Sequence, residues 1–191
     1  HLWVLRKLLN LAVEWGVIPY APRVRQLRVP QSDFQFLTFE ESDRFLSAAA
    51  PEWKAWLTTA LKTGLRVGEL LALKWEDVDL TAGRLVVRRT LWHALEGTPK
   101  GGRSREVPLS DDAVATLQAH RHLRGPYVFC EADGKRLNHN RVKAVVPRTC
   151  ARAGLAKRLT THDLRHTFAS HLVMRGVALK AVQELLGHAT I

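Results

Sequence analysis

Apolar residues recur at helical spacing from His1 to Gly16, at Leu2, Leu5, Leu8, Leu9, Ala12 and Val13, and the pattern stops at a glycine suited to closing a helix. Val17 to Gln31 breaks it with Pro19, Pro22, Pro30 and three arginines, and reads as an extended linker. The first helix has too little around it to bury its apolar face. A domain boundary therefore falls near residue 30, and the helix reads as the tail of a preceding domain. A new unit, residues 31–191, opens with Thr38 and Glu41 three positions on, the pattern of a capping box. The spacing then predicts helices over 39–49, 52–62 (closed by Gly64) and 66–73. Residues 83–92 alternate and are β-branched, 105–109 form a second short strand, and Thr98 to Gly102 makes a hairpin between them. Helices follow at 111–123, 138–153, 162–175 (closed by Gly176) and 179–186. The expected fold is mainly α with a small antiparallel β-sheet, an α+β domain.

Composition narrows the class. At 191 residues and 46% hydrophobic, the chain has enough apolar surface for one ordinary domain with a piece of a second. No apolar run approaches the roughly 20 residues that span a bilayer, and the basic, apolar start has no cleavage-site pattern. No membrane partner is expected, and a chain opening without Met reads as part of a longer protein. Cys130 and Cys150 are too few for a disulfide framework and lack metal-ligand spacing, so they read as reduced thiols of a cytoplasmic protein.

Charge changes the picture more. The net charge is +11, which suits a polyanionic partner. Residues 31–83 are net acidic at −4, whereas residues 84–191 carry +11. Lys135 to Arg158 holds eight Lys/Arg and no acid, including Arg141, Lys143 and Arg148. A solvated helix face would explain such a run equally well.

Four short segments carry candidate chemistry. In Thr63-Gly64-Leu65-Arg66-Val67-Gly68-Glu69, Gly64 permits a left-handed turn and places Arg66 at the start of a new helix. The helix dipole disfavours a cation there, a conflict that a bound phosphate would resolve. Glu69, one turn on, lies within reach of Arg66; alone this is an ordinary i, i+3 surface pair. In Thr161-His162-Asp163-Leu164-Arg165-His166, His162 and Arg165 share a helix face, setting a proton-transfer group beside a bidentate phosphate ligand. His162 and His166 have metal-ligand spacing but lack the glutamate of the zinc-protease motif, so no metal is expected. Leu185-Leu186-Gly187-His188 is a helix end whose glycine and histidine mean little in isolation. Lys100, at the tip of the Gly-rich hairpin, is placed to reach a leaving oxygen, although most hairpin lysines only keep a turn soluble.

In their order and spacing, the Arg66 segment, the Lys100 hairpin leading into Arg105-Glu-Val-Pro-Leu109, the His162-Asp-Leu-Arg165 box and Leu-Gly-His188 resemble the tyrosine recombinase (phage integrase) family, over about residues 34–191. The resemblance implies that family's catalytic-domain fold, with residues 1–30 as the last helix and linker of its core-binding domain. It implies site-specific recombination, integration or excision, of double-stranded DNA by a homotetramer, with no cofactor and no metal. Arg66 and Arg165 would clamp the scissile phosphate, His188 would add a hydrogen bond, Lys100 would protonate the leaving 5′ oxygen, and His162 would assist the nucleophile. Glu69 would orient Arg66, and Arg103, Arg105, Arg141, Lys143 and Arg148 would contact DNA. The family's nucleophile is a tyrosine that joins the 3′ phosphate. It is expected about nine residues after His188, roughly two and a half helical turns, and thus past Ile191; Tyr20 and Tyr127 do not fit the position. A type IB topoisomerase shares the same residue set, and a catalytically silent DNA-binding relative is the other alternative.

Overall fold

The structure is a computed structural model that describes residues 2–25, 35–92, 95–99 and 102–187. It divides into two compact units, His1–Phe34 and Gln35–Ile191. The first contains helix α1 (Leu2–Glu14), which buries none of its residues and leaves Trp3, Leu5 and Leu8 exposed.

In the second unit, α2 (Phe39–Ser47) starts at the expected capping box. The Glu41 amide donates to Thr38 Oγ1 (3.2 Å), and the Thr38 amide donates to Glu41 Oε2 (2.8 Å). Helix α3 (Pro51–Thr63) is the central element. Eight of its thirteen residues are buried, including Trp56, Leu57 and Leu61. Its buried Thr59 and Thr63 hydroxyls donate to the carbonyls four residues back, so burial leaves neither unsatisfied. Helix α3 packs against α5 (Asp111–His120) and α8 (Thr161–Met174). It ends at Gly64 (φ +62°). A Cβ there would lie 2.5 Å from Phe168 Cδ1 and 3.0 Å from Leu186 Cδ2, so both the turn and the packing demand glycine. Helix α4 (Val67–Ala72) follows at once.

The expected sheet is present in altered form. Strands β1 (Val78–Asp79), β2 (Arg84–Val87) and β5 (Arg105–Pro108) form an antiparallel sheet in the order β1-β2-β5. Leu85 lies opposite Val107 and Val87 opposite Arg105. Leu85, Val87 and Val107 are buried and turn one face into the core. The single strand expected over 83–92 is broken in two. Its second half is β3 (Thr90–Trp92), which pairs with β4 (Leu95–Gly97) in a separate hairpin. Ion pairs account for the break. Arg89 reaches Asp77 (2.6 Å), Glu76 and Glu96, and Lys74 joins Glu96 (3.3 Å), which pulls the chain off the first sheet.

The helix expected over 138–153 is likewise two helices, α6 (His139–Lys143) and α7 (Val145–Arg152). Pro147 is the cause. It has no amide to offer the Lys143 carbonyl and its ring crowds that group, so the helix stops and restarts at Ala144 (φ −91°, ψ −4°). The last helix, α9 (Leu179–Leu186), closes on Gly187 (φ +66°) and packs on α8 through Phe168, Val182 and Leu186. None of the helices described is long and apolar enough to cross a membrane.

Candidate active site

Helix α4 and strand β5 meet at one carboxylate, Glu69, and the ends of α3 and α9 and the start of α8 close around the arginines beside it. Arg66 is the N-cap residue of α4; its own backbone is extended (φ −68°, ψ 152°), and its side chain lies beside Glu69 one turn on. The Arg66 amide donates to Glu69 Oε2 (2.8 Å) and its Nη1 to Oε1 (2.9 Å). Arg105 approaches the same carboxylate from β5 with two parallel bonds, Nη1 to Oε1 (3.0 Å) and Nη2 to Oε2 (2.7 Å). This is the bidentate geometry in which guanidinium–carboxylate pairs are strongest. Glu69 is only 1% exposed. Burial works to raise its pKa, but the bonds and charge of Arg105, with those of Arg66, outweigh this and hold it below the usual carboxylate range.

Arg165 comes from the first turns of α8, which Thr160 and Asp163 fix by a capping box: the Thr160 amide donates to Asp163 Oδ2 (2.7 Å). Arg165 is 3% exposed. Its Nη1 donates to the Gly64 carbonyl at the end of α3 (2.7 Å), and its Nη2 to the Leu186 carbonyl at the end of α9. Arg66 makes longer contacts to the same helix end, at Leu186 (3.4 Å) and Gly187 (3.5 Å). The negative end of the α9 dipole thus holds the guanidinia together. Burial, and then the neighbouring Arg66, push the Arg165 pKa down to about 9, with Glu69 opposing and Arg105 adding to the depression. Arg165 is still a cation at neutral pH, but one whose surroundings would be relieved by another anion.

His162 lies one turn before Arg165, its ring edge-on to His166 (centroids 4.5 Å apart). Burial first, and then the neighbouring His166, Arg165 and Arg66, hold it below the usual histidine value, with Asp163 opposing. The ring is therefore neutral at neutral pH and able to accept a proton.

The structure brings Arg66, Glu69, His162 and Arg165 together. Lys100 and His188 lie outside the described residues. Arg103, Arg141, Lys143 and Arg148 are exposed; Arg141 and Arg148 border a cleft with Arg152, Glu52 and Trp53. Arg105, expected among the DNA contacts, points inward in the structure. Its side chain is only 10% exposed, and its three nitrogens bond to Glu69 and to the Leu185 carbonyl. The reason is strand alternation: Arg105 shares the inward face of β5 with buried Val107.

The sequence pattern of the phage integrase family matches residues 35–191. The chain belongs to the phage integrase family. Its relatives in that family include the tyrosine recombinase XerA of Thermococcus kodakarensis, 37% identical over 186 residues that make up 92% of this chain and 62% of the relative. Another is the tyrosine recombinase XerC of Pelobacter propionicus, 36% identical over 143 residues, 72% of this chain and 44% of the relative. The chain spans between 44% and 65% of the length of such XerC proteins. Among solved structures, a XerA recombinase superposes with a TM-score of 0.73 at 26% identity, over 98% of this chain and 67% of that one. The Tn1549 transposon integrase in complex with a circular intermediate DNA superposes with a TM-score of 0.88 at 20% identity, over 99% of this chain and 70% of that one. The integrase fold is thus shared across little sequence identity.

Proposed function

We propose that this integrase-family chain is the main part of the catalytic domain of a tyrosine site-specific recombinase. In this reading it cleaves and rejoins double-stranded DNA by phosphoryl transfer through a 3′-phosphotyrosyl intermediate. The observation that carries the reading is the charge balance of the site. Three guanidinia, Arg66, Arg105 and Arg165, gather around the one carboxylate of Glu69, leaving two positive charges uncompensated at one point. A phosphodiester that gains negative charge in its transition state is the natural complement of such a cluster.

Arg66 and Arg165 are assigned to the non-bridging oxygens of the scissile phosphate. The described bonds of Arg165 use two of its five N–H groups, and the long contacts of Arg66 to α9 are readily exchanged for phosphate oxygens. His162 takes the proton of the nucleophile. Lys100 is assigned to the leaving 5′ oxygen and His188 to the phosphate, both on the resemblance of their segments. The nucleophile is a tyrosine about nine residues after His188, roughly two and a half helical turns on. Because the positive charge comes from side chains, neither a metal nor a cofactor is required. Arg103, Arg141, Lys143 and Arg148 are exposed cations available to the DNA backbone.

A homotetramer is proposed as the working assembly, by analogy with a lambda integrase structure described as a tetramer bound to a Holliday junction. The names of the curated relatives favour recombination over topoisomerase-like relaxation. Retention of the full Arg66–Glu69–Arg165 arrangement weighs against a silent DNA-binding relative.

Single-turnover cleavage of nicked DNA by the full-length protein tests the reading. The rate should persist in EDTA. It should fall on the acid side, below pH 6.5, as His162 gains a proton; the depressed titration sets that direction. A rate abolished by EDTA, or an acid limb centred above pH 7, would contradict it.

A further inference from the structure

We infer that Arg105 is a positioning residue, which keeps Arg66 available to phosphate by occupying the second face of Glu69 and fixes the end of α9 by the same side chain. The inference rests on the phosphoryl-transfer reading of this site. Its support is geometric. Glu69 has two oxygens, and Arg105 bonds to both at once from β5, 36 residues along the chain. Arg66 is left with one side-chain bond to that carboxylate, at Oε1, while Oε2 takes its amide. The rest of the Arg66 guanidinium is thereby directed toward the α9 carbonyls and, in the proposed reaction, toward the phosphate. Without Arg105, the Glu69 carboxylate would be held only by Arg66, through its amide and Nη1. Glu69 would then be free to pair with Arg66 side by side, neutralising the charge that the reaction uses.

The other edge of Arg105 performs the second task. Its Nε donates to the Leu185 carbonyl (2.7 Å), and Gly187 rests against its stem so closely that a Cβ would lie 3.1 Å from Cδ and Nη1. Gly187 immediately precedes His188 in the sequence, and Arg105 lies five residues after Lys100. One side chain thus ties together α4, β5 and the end of α9, the three elements to which Arg66, Lys100 and His188 are joined. The charged groups facing Glu69 among the described residues are Arg66 from its own helix, Arg105 from β5 and Arg165 from α8; α9 contributes carbonyls to the same cluster.

The test uses the full-length protein with Arg105→Gln, alone and combined with Glu69→Gln. Arg105→Gln should slow DNA cleavage about a hundredfold while DNA affinity stays within about threefold, the pattern of a group that acts on the transition state and not on binding. Adding Glu69→Gln should restore about tenfold, because removing the carboxylate charge frees Arg66; a purely structural role for Arg105 predicts a further loss. Arginine side-chain NMR provides a readout independent of cleavage. The Arg66 guanidinium signals, assigned by their loss in Arg66→Lys, should change in Arg105→Gln and move back in the double variant. If the parent protein forms no covalent adduct, the enzymatic reading falls, and the NMR result alone still decides the Arg105–Glu69–Arg66 link. Cleavage within threefold of the parent, a loss confined to DNA affinity, or Arg66 signals that ignore the substitution would each overturn the inference.

Discussion

Replacing Arg165 with lysine should slow DNA cleavage by the full-length protein about a thousandfold, at the upper end of what removing one preorganised donor to a developing oxyanion costs. Charge is conserved in this variant, so the effect isolates geometry. The guanidinium spans two helix ends, with Nη1 on the Gly64 carbonyl and Nη2 on the Leu186 carbonyl, and still has N–H groups for a phosphate. An ammonium group is a point donor and cannot reach both carbonyls while presenting a fork to the phosphate. Single-turnover rates at saturating DNA, compared with equilibrium binding, separate the two contributions. A lysine variant that cleaves within tenfold of the parent would remove Arg165 from the phosphate clamp.

The second large effect is on stability. Glu69→Ala should cost about 3–5 kcal/mol in denaturant unfolding, the range found when one partner of a buried ion pair is removed. Arg66, with a quarter of its side chain exposed, can turn to water, but Arg105 and Arg165 are nearly buried and would face each other without a counter-charge. Glu69→Gln should recover part of the loss, since it keeps an acceptor. In the parent protein, the carboxyl sits below its ordinary value of 4.5. A group lowered in the folded state gives its full contribution above the unfolded value and loses it as the pH falls through the folded one. The advantage of the parent over Glu69→Gln should therefore be complete above pH 4.5 and shrink below it. A cost under 1 kcal/mol for the alanine variant, typical of an exposed pair, would contradict the buried arrangement.

Much of this fold is legible locally. Helices α2, α3 and α9 announce their ends through Thr38 with Glu41, Gly64 and Gly187, because caps and left-handed turns depend on residues next to them in the sequence. The breaks at Ala144 and after Val87 were harder to read. Pro147 carries a local signal for the first, whereas the second depends on Arg89 meeting Glu76, Asp77 and Glu96 across the fold. The site divides along the same line. Arg66 with Glu69, and His162 with Arg165, are one helical turn apart and visible as pairs. Their convergence is not, since it relies on the carbonyls of Gly64, Leu185 and Leu186, which no side-chain pattern reveals. Arg105 falls between these cases: the alternation Arg105-Glu106-Val107 points it inward, but only to a reader who already knows which face of β5 is buried.

In the proposed reaction this arginine cradle activates a DNA phosphate for attack by a tyrosine of the same protein. The most direct measurement is covalent trapping of the full-length protein on a nicked DNA carrying its recombination site, followed by peptide mapping of the adduct. The expected product is a 3′-phosphotyrosyl bond to a tyrosine about nine residues after His188, roughly two and a half helical turns on, formed without metal and lost when Arg66 and Arg165 are both replaced. An adduct on Tyr20 or Tyr127, or cleavage with no protein–DNA bond at all, would contradict it.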